Sequence, residues 1–514
     1  MQGRGSGESF SVCSYWPGSL TLCAGRPDWA SFFPRLSDRP RRHGASAFPG
    51  CCRRGICPPR RQVICCPLSG GEFMCSRCAR TALAVVLIVS VLQAAFRKED
   101  VRVHTLDNGL KVLFLEDRDI PNVAYYTFFR VGSRNERPGI TGLSHFLEHM
   151  MFNGTARYGP GEFDRVMEFS GGANNAWTSE DVTAYTDWFP ASALEAMIDL
   201  EADRMQGLLF DPEVFESERG VVASERRMAV ENNNEGLLAE SVQATAVMAH
   251  PYHWSVIGWM SDILSWRRED LLQYYRTFYA PNNAVLVVVG DFDSGSALEL
   301  IKKHYGPIPP SPPPPPVVTV EPEQLGPRLT VIRKEAQAPS FLMAYHAPAC
   351  RGEDYPAMAV LEKALLDGES SRLYRRLVRE EKIALAVGGG MQETIDPLLF
   401  AVQVKPRPGA DLDRVAAVIE EELDRLRSEG LSDREFKKAL NIIRSDFYAG
   451  LQTISGQAHL LGLAELLYGS YEQAFSIMSR YDGLSPDKVK EAAVRYLAPD
   501  KKTVGKLIPR GGDR

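Results

Sequence analysis

The stretch His145-Phe-Leu-Glu-His149 determines how the rest of this chain is interpreted. On a helix, residues four positions apart lie on the same face, so the two imidazoles can bind one metal ion. Glu148 lies next to His149, where a carboxylate can take the proton of a zinc-bound water, whose pKa is lowered to about 7. The order H-x-x-E-H inverts the H-E-x-x-H motif of many zinc peptidases. It predicts a catalytic metal site, although an amphipathic helix can carry these residues by chance.

A second segment offers carboxylates for the same site. Catalytic zinc usually has three protein ligands and one open position, so a third ligand must come from elsewhere. Residues 215–232 (FESERGVVASERRMAVEN) follow Asp211-Pro212 and predict a helix. Glu218 and Glu225 are seven positions apart in it, so both point the same way. For Glu218 in particular, a solvated helix face is the alternative.

H-x-x-E-H with a glutamate 76 residues after the second histidine resembles the pitrilysin/insulinase zinc metallopeptidases. The likeness is greatest to their short processing-peptidase branch, and it covers residues 101–510. It implies that one Zn²⁺ is bound by His145, His149 and Glu225. It also implies that Glu218 orients the site from outside the ligand shell, a role that metal sites generally require.

Between the two helices lies a candidate track for peptide substrates. Residues 172–186 (GANNAWTSEDVTAYT) run from a glycine pair into residues typical of strands. They resemble the family's edge strand, in which Asn175-Ala176 lies beside the zinc. A peptide added to such an edge is held by main-chain hydrogen bonds, and side-chain pockets then give preference. An ordinary hairpin strand is the alternative.

Residues 1–95 differ from the rest of the chain. Residues 1–73 are rich in Arg, Pro, Gly, Cys and Ser without apolar periodicity, so we expect a non-native or disordered leader with Met74 as the true start. Residues 74–95 combine a basic start, an apolar run and small residues at the end, which predicts a secretory signal peptide or an anchor. We therefore expect an extracytoplasmic protein, periplasmic or secreted, with the mitochondrial matrix as the alternative because the leader is Arg-rich and acid-poor.

Charge separates the same two regions. Residues 1–95 hold 12 arginines and 4 acidic residues, which leaves 47 of the 59 basic and 61 of the 65 acidic side chains, a net charge of −14, to the remainder. Such an acidic body argues against nucleic acid and anionic membrane surfaces as partners. It is compatible with basic peptide substrates.

The remainder is long enough for two domains, and a proline-rich segment marks the boundary. We predict a zinc-binding catalytic domain at 96–306, a stiff linker at 307–327 and a non-catalytic homologous domain at 328–514. Three pairs of segments support the repeat: 110–116 with 329–335, 210–215 with 431–436, and 279–285 with 497–504. The fold class is therefore α+β, with two homologous domains, each a mainly antiparallel sheet covered by helices. The resemblance implies that they face each other around a chamber.

The second copy lacks the metal chemistry. Ala359 and Lys363 stand in place of His145 and His149. Glu362 aligns with Glu148, and Asp446 aligns with Glu225. Without imidazoles there is no zinc site, so we expect the second copy to be a non-catalytic wall.

One departure from the family concerns substrate binding. Active members commonly place an Arg and a Tyr, seven residues apart, in the non-catalytic half, whereas the aligned positions here are Val378 and Leu385. In two-chain members a homologous partner chain provides this pair. We therefore expect a heterodimer with such a chain, or a homodimer. A shifted alignment, or substitution by another group such as Tyr374, is the alternative.

These features together predict a zinc metalloendopeptidase with Glu148 as the general base and water as the nucleophile. Its substrates would be peptides or unfolded polypeptides. The main alternative is a non-catalytic assembly subunit that keeps the peptidase fold. A zinc-stabilised binding protein is a weaker alternative, because a structural site is normally closed by four protein ligands.

Overall fold

An uninterrupted apolar run forms the centre of the first sheet. Strand β6 (Ala284–Gly290, AVLVVVG) is buried along its whole length. It pairs in parallel with β2 (Lys111–Glu116) and antiparallel with β3 (Asn122–Phe129). A strand covered on both faces needs apolar side chains in both directions, which explains the lack of alternation in its sequence.

The computed structural model describes residues 96–510. The predicted leader and the signal peptide or anchor therefore lie outside the described residues. Within 96–510, none of the helices combines the length and the apolar character that a membrane span requires. Below, the first half means residues 96–306 and the second half residues 328–510.

Each half contains one sheet. The strand order is β1-β2-β6-β3-β5-β4 in the first half and β7-β11-β8-β10-β9 in the second. Apart from β1, the second order repeats the first, and the single parallel pairing falls at the same place, β2 with β6 and β7 with β11. The remaining strands are β1 (Val101–Thr105), β4 (Ala173–Thr178), β5 (Thr183–Pro190), β7 (Arg328–Lys334), β8 (Ser340–His346), β9 (Ala384–Met391), β10 (Leu399–Pro406) and β11 (Lys502–Pro509).

Helices cover both sheets, so the predicted α+β fold of two homologous, mainly antiparallel halves is confirmed. Those of the first half are α1 (Leu143–Met150), α2 (Glu162–Phe169), α3 (Leu194–Gly207), α4 (Pro212–Arg226), α5 (Asn234–Ala246), α6 (Met260–Ser265), α7 (Arg268–Phe278) and α8 (Ser294–Tyr305). Those of the second half are α9 (Tyr355–Leu366), α10 (Arg372–Tyr374), α11 (Leu412–Glu429), α12 (Asp433–Gly450), α13 (Ile454–Leu467) and α14 (Pro486–Tyr496). Helices α4 and α10 continue as π-helical turns over Arg227–Glu231 and Arg375–Glu380.

The two halves exchange one helix each. Helix α5 of the first half packs on β7, β8 and β11 of the second sheet, and α13 of the second half packs on β3 and β6 of the first. On the α5 side, Leu238 and Val242 are buried in one cluster with side chains of the second sheet, namely Leu342, Ala344 and Leu507. The exchange joins the halves through two apolar interfaces rather than through the linker alone.

Both exchanged contacts pass over a glycine. A Cβ on Gly462 of α13 would lie 2.1 Å from the ring of Phe128 in β3, and a Cβ on Gly505 of β11 would lie 2.3 Å from the side chain of Val242 in α5. Either distance is far below van der Waals contact. These glycines therefore allow each helix to lie directly on the other half's sheet.

Replacing Gly462 tests the packing of this interface. Gly→Ala normally stabilises a helix by roughly 0.5–1 kcal/mol, but Gly462→Ala should lower the free energy of unfolding by about 1–3 kcal/mol, because the new methyl group overpacks against Phe128. Gly220→Ala is the matched control, since Gly220 lies exposed in helix α4 and, apart from its own helix backbone, no atom lies within 4 Å of its Cβ position. Urea unfolding measures both. A stabilised Gly462→Ala variant would contradict the close packing.

The proline-rich linker is fastened to the surface at both ends. Ser311 N–H donates to Asn282 Oδ1 at 3.0 Å. At the other end the Glu321 carboxylate accepts the N–H groups of three successive residues, Met248, Ala249 and His250, at 2.7–3.0 Å. Between them every third residue, at 311, 314 and 317, is half-buried while the others are exposed. That spacing matches the three-residue turn of a polyproline helix.

Candidate active site

Helix α1 carries the H-x-x-E-H motif, and its start is capped from outside the helix. Gly142 precedes it with φ 84°. The buried Glu136 carboxylate accepts the N–H groups of Gly142 at 2.7 Å and Ser144 at 2.8 Å. It thereby satisfies N–H groups that a helix leaves without partners at its first turn. The apolar face is buried and fixes the rotation of the helix: Leu143, Phe146, Leu147 and Met150.

The second predicted helix is also present. Helix α4 begins with Pro212, and the Asp211 carboxylate caps it by accepting two backbone N–H groups at 2.9 and 3.1 Å. A proline in the first turn is favourable because its missing N–H would have no partner there. Helix α4 packs against α1. Their contact brings Glu225 and Glu218 to the histidines of α1.

Three side chains form a triangle of metal-ligand atoms. The Nε2 atoms of His145 and His149 lie 3.3 Å apart, and Glu225 Oε2 lies 3.7 Å from the first and 3.5 Å from the second. Around a tetrahedral ion with ligands at about 2.1 Å, neighbouring ligand atoms are about 3.4 Å apart. The triangle therefore fits zinc, with the fourth position open. Across residues 96–510 this is the one group of three such side chains that could hold a metal ion.

Glu218 binds the outer nitrogen of one imidazole. Its Oε1 lies 2.8 Å from His149 Nδ1. A proton on Nδ1 leaves the lone pair of Nε2 directed at the centre of the triangle, which is the orientation that a metal ligand needs. His145 Nδ1 is buried and has no hydrogen-bond partner among the described residues. Glu218 thus lies behind His149, and its role at a metal site remains a prediction.

The charges of the site favour a cation. Burial opposes a charge on His149, but hydrogen bonds to Glu218 and Glu225 outweigh it and raise the pKa of this imidazole to about 10. Burial and the neighbouring His149 lower the pKa of His145 to about 4. The two carboxylates thus favour positive charge beside the imidazoles. A divalent cation in the triangle would satisfy the same groups.

Glu148 lies beside the triangle without belonging to it. Burial raises the pKa of its carboxyl group to about 7. Its Oε2 accepts a hydrogen bond of 2.6 Å from the hydroxyl of Thr178, the last residue of β4. Sequence reasoning missed Thr178. The signal that could have found it is the period-two alternation of strands, since Thr178 lies on the same face as Ala176.

Strand β4 lies next to α1, at the edge of the first sheet. Among the described strands it pairs only with β5, with Asn175 opposite Thr186 and Ala176 opposite Tyr185. Asn175 is exposed, and Ala176 is half-buried against the core. An unpaired edge leaves backbone groups free to pair with an extended peptide. That these two residues bind substrate remains a prediction.

The corresponding place in the second half holds the ammonium group of a lysine. Lys363 Nζ lies 3.2 Å from Asp446 Oδ2, between the helices that correspond to α1 and α4. Glu362 accepts the N–H of Met391 at 2.9 Å, and burial raises the pKa of its carboxyl group to about 7. The second half thus keeps a buried carboxyl group in place of Glu148, but an ammonium group stands where the first half has the metal-ligand triangle.

No arginine or tyrosine stands at the two positions aligned with the family's substrate-binding pair. Val378 lies half-buried in the π-helical turns, and Leu385 is 46% exposed on β9. The neighbouring Arg379 is ion-paired with Glu369 and lies over the ring of Tyr374 at 5.7 Å. Its guanidinium group is therefore already engaged within this chain.

Family models match both halves of the chain. A family model described as Insulinase (Peptidase family M16) matches residues 111–258, and one described as Peptidase M16 inactive domain matches residues 265–443. The zinc protease PqqE of Helicobacter pylori is 32% identical over 365 residues, which cover 69% of this chain and 81% of that protein.

Solved structures share the fold. A protease from Helicobacter pylori aligns with a TM-score of 0.76 and 29% identity, over 80% of this chain and 99% of the other. The periplasmic protease PqqL from Escherichia coli aligns with a TM-score of 0.66 and 20% identity, over 81% of this chain and 48% of the other. These matches, together with the H-x-x-E-H helix and the repeated strand order, show that the chain belongs to the insulinase family of peptidases, family M16.

Proposed function

We propose that this chain is a zinc-dependent endopeptidase acting on peptides or unfolded polypeptides. The observation that carries the proposal is the triangle of His145, His149 and Glu225 with the separate carboxyl group of Glu148 beside it. When bound, zinc would polarise the scissile carbonyl and acidify a water molecule. The zinc proteases among the relatives support the choice of metal.

The chain's own residues supply the proton transfers. Glu148 takes a proton from the attacking water and passes it to the leaving amine, for which a pKa near the working pH is suited. The Thr178 hydroxyl holds one oxygen of Glu148, which leaves the other free to face the water. The free edge of β4 holds the peptide, with Asn175 and Ala176 nearest the metal site. We also propose that residues 328–514 form a non-catalytic wall of the substrate chamber.

A non-catalytic assembly subunit is the alternative function. Such a subunit needs the fold but neither the metal ligands nor the base. In the second half, where the imidazoles are absent, Lys363 and Asp446 close the site with an ion pair. The first half keeps all four groups in a geometry that fits zinc, which favours catalysis.

We further propose an extracytoplasmic location, periplasmic or secreted. The basic and apolar pattern of residues 74–95 supports it, as does the periplasmic protease whose fold this chain shares. The mitochondrial matrix is the alternative. N-terminal sequencing of the mature protein distinguishes a cleaved signal peptide, with an N-terminus near Ala95 or Phe96, from an anchor that retains Met74.

Replacing Glu218 tests the outer shell of the metal site. Glu218→Gln should weaken zinc binding about 10- to 100-fold, as the loss of a partner behind a ligand typically does. The reason is that the amide holds His149 Nδ1–H less strongly than the carboxylate and no longer offsets the charge of the ion. Competition with a chelator of known affinity measures the change. Glu216→Gln, on an exposed face of the same helix, is the control. A zinc affinity of Glu218→Gln equal to that of the wild type would show that Glu218 does not support the metal site.

The function itself is tested by metal analysis combined with peptide cleavage, with and without a homologous chain. We expect one zinc per chain but weak cleavage by the purified chain alone, because no Arg–Tyr pair stands at Val378 and Leu385. Addition of a co-encoded homologue that has the pair should raise turnover, since misplacement of a substrate by about 1 Å can cost about 100-fold in rate. The same homologue without its Arg and Tyr is the control. Full activity of a monomer or homodimer would contradict the need for a partner.

A further inference from the structure

The turn between β4 and β5 connects the base to the second half. It comprises residues 179–182 and follows Thr178 directly, and Ser179 N–H donates to Val182 O at 2.8 Å to close it. Thr178 donates to Glu148. A shift of this turn therefore moves the hydroxyl group that orients the base.

Asp181, in this turn, is 4% exposed, and its carboxylate is surrounded by donors. Arg134 Nη1 donates to it at 3.1 Å and the hydroxyl of Tyr252 at 2.7 Å. A third donor, the N–H of Ile395 at 2.8 Å, belongs to the second half. A buried carboxylate that loses such donors is costly, so this arrangement fixes the turn against the other half.

The second half binds the same donors in return. Asp396 is ion-paired with Arg134, and its Oδ2 lies 3.2 Å from His250 Nε2. Its backbone N–H donates to the Tyr252 hydroxyl at 3.3 Å. Asp396 lies between β9 and β10, the strands that correspond to β4 and β5 in the repeated fold. The two equivalent turns thus meet, and first-half donors link their aspartates.

We propose that Asp181 is a positioning residue for Glu148, through which the second half of this same chain holds the base in its working orientation. The connection runs from Ile395 and Asp396 to Asp181, along the turn to Thr178, and from its hydroxyl to Glu148. Through this connection the second half contributes to catalysis without supplying a metal ligand. This inference rests on the proposed peptidase function.

The test is a double-mutant cycle of Asp181→Asn and Thr178→Val, each nearly isosteric with the residue it replaces. Asp181→Asn points an amide N–H group at existing donors, so we expect kcat to fall by roughly 10- to 100-fold, as for small misplacements, with KM and zinc affinity within about twofold of wild type. Thr178→Val should have a similar effect. The double variant should be no slower than the slower single variant, because both changes break one connection.

Two results overturn the inference. One is a folded Asp181→Asn variant with wild-type kcat, since a merely structural tie would lower only stability. The other is a double variant whose loss of kcat equals the product of the single losses. Should Asp181→Asn fail to fold, Tyr252→Phe removes one donor to Asp181, and kcat should again fall, by a smaller factor. Glu235→Gln is the matched control, because Glu235 pairs with Lys405 across the halves at 3.7 Å without contacting the turn.

The wild-type chain separates this inference from the proposed function. Absence of peptide cleavage by wild type in any assembly contradicts the peptidase function. The same double-mutant cycle can also be measured by urea unfolding, which does not depend on catalytic activity. Coupling between the two substitutions in the free energy of unfolding supports the connection from Asp181 to Thr178, and additive effects overturn it.

Discussion

Glu148→Gln should abolish peptide cleavage while one zinc per chain remains bound. Glu148 lies outside the triangle of ligand atoms, so its replacement leaves metal binding intact. An amide cannot take a proton from water, and general-base catalysis contributes about 10²- to 10⁴-fold to rates. We therefore expect kcat to fall by at least that factor, which leaves no cleavage detectable above the weak activity of the chain alone. Metal content and turnover are measured on the same preparation, and near-normal turnover would refute Glu148 as the base.

The second half provides a control for this substitution. Glu362 occupies the corresponding place, is equally buried in a helix and has its pKa raised to about 7 by that burial. Its carboxylate accepts a backbone N–H rather than a threonine hydroxyl. Glu362→Gln should therefore leave both cleavage and zinc content unchanged. Loss of activity in both variants would point to a general effect of removing a buried acid.

His149→Ala and Glu225→Gln should each lose zinc and cleavage together. His149→Ala removes one of three ligand atoms that lie 3.3–3.7 Å apart, and Glu225→Gln replaces the anionic oxygen by that of a neutral amide, a much weaker ligand. The loss of affinity should exceed the 10- to 100-fold that typically follows loss of a partner behind a ligand. Mass spectrometry of bound metal and a cleavage assay measure the two effects.

Asp446→Asn is the control for the third ligand. Asp446 corresponds to Glu225 but pairs with Lys363. The variant should keep one zinc per chain and full activity. If His149→Ala or Glu225→Gln retained stoichiometric zinc at wild-type affinity, the ligand assignment would be wrong. Circular dichroism shows whether each variant is folded, which excludes global unfolding as the cause of metal loss.

The two helices that carry the candidate metal ligands could be predicted from local rules. The four-residue spacing of His145 and His149 and the seven-residue spacing of Glu218 and Glu225 place each pair on one face of a helix, whatever surrounds it. That these two faces meet came from the family resemblance rather than from spacing. Thr178 was not predicted, because its hydrogen bond to Glu148 depends on how an edge strand lies against α1.

The repeat was visible in sequence because each copy kept its strand and turn residues. The exchange of α5 and α13 was not visible, since nothing in either helix sequence shows which of the two sheets it covers. Gly462 and Gly505 mark the crossings only once their neighbours are known.

By itself the sequence determined the helical H-x-x-E-H motif, the two homologous halves and the absence of the corresponding two histidines from the second. These features depend on residue identity and on short periodic spacings. Residues at such spacings lie on one face of a helix or strand because of its backbone geometry. Only the tertiary structure decided that Thr178 donates a hydrogen bond to Glu148 and that Asp181 meets Ile395, 214 residues away. Contacts at such separations form only when both halves have folded and packed, because chain entropy opposes them until burial offsets it.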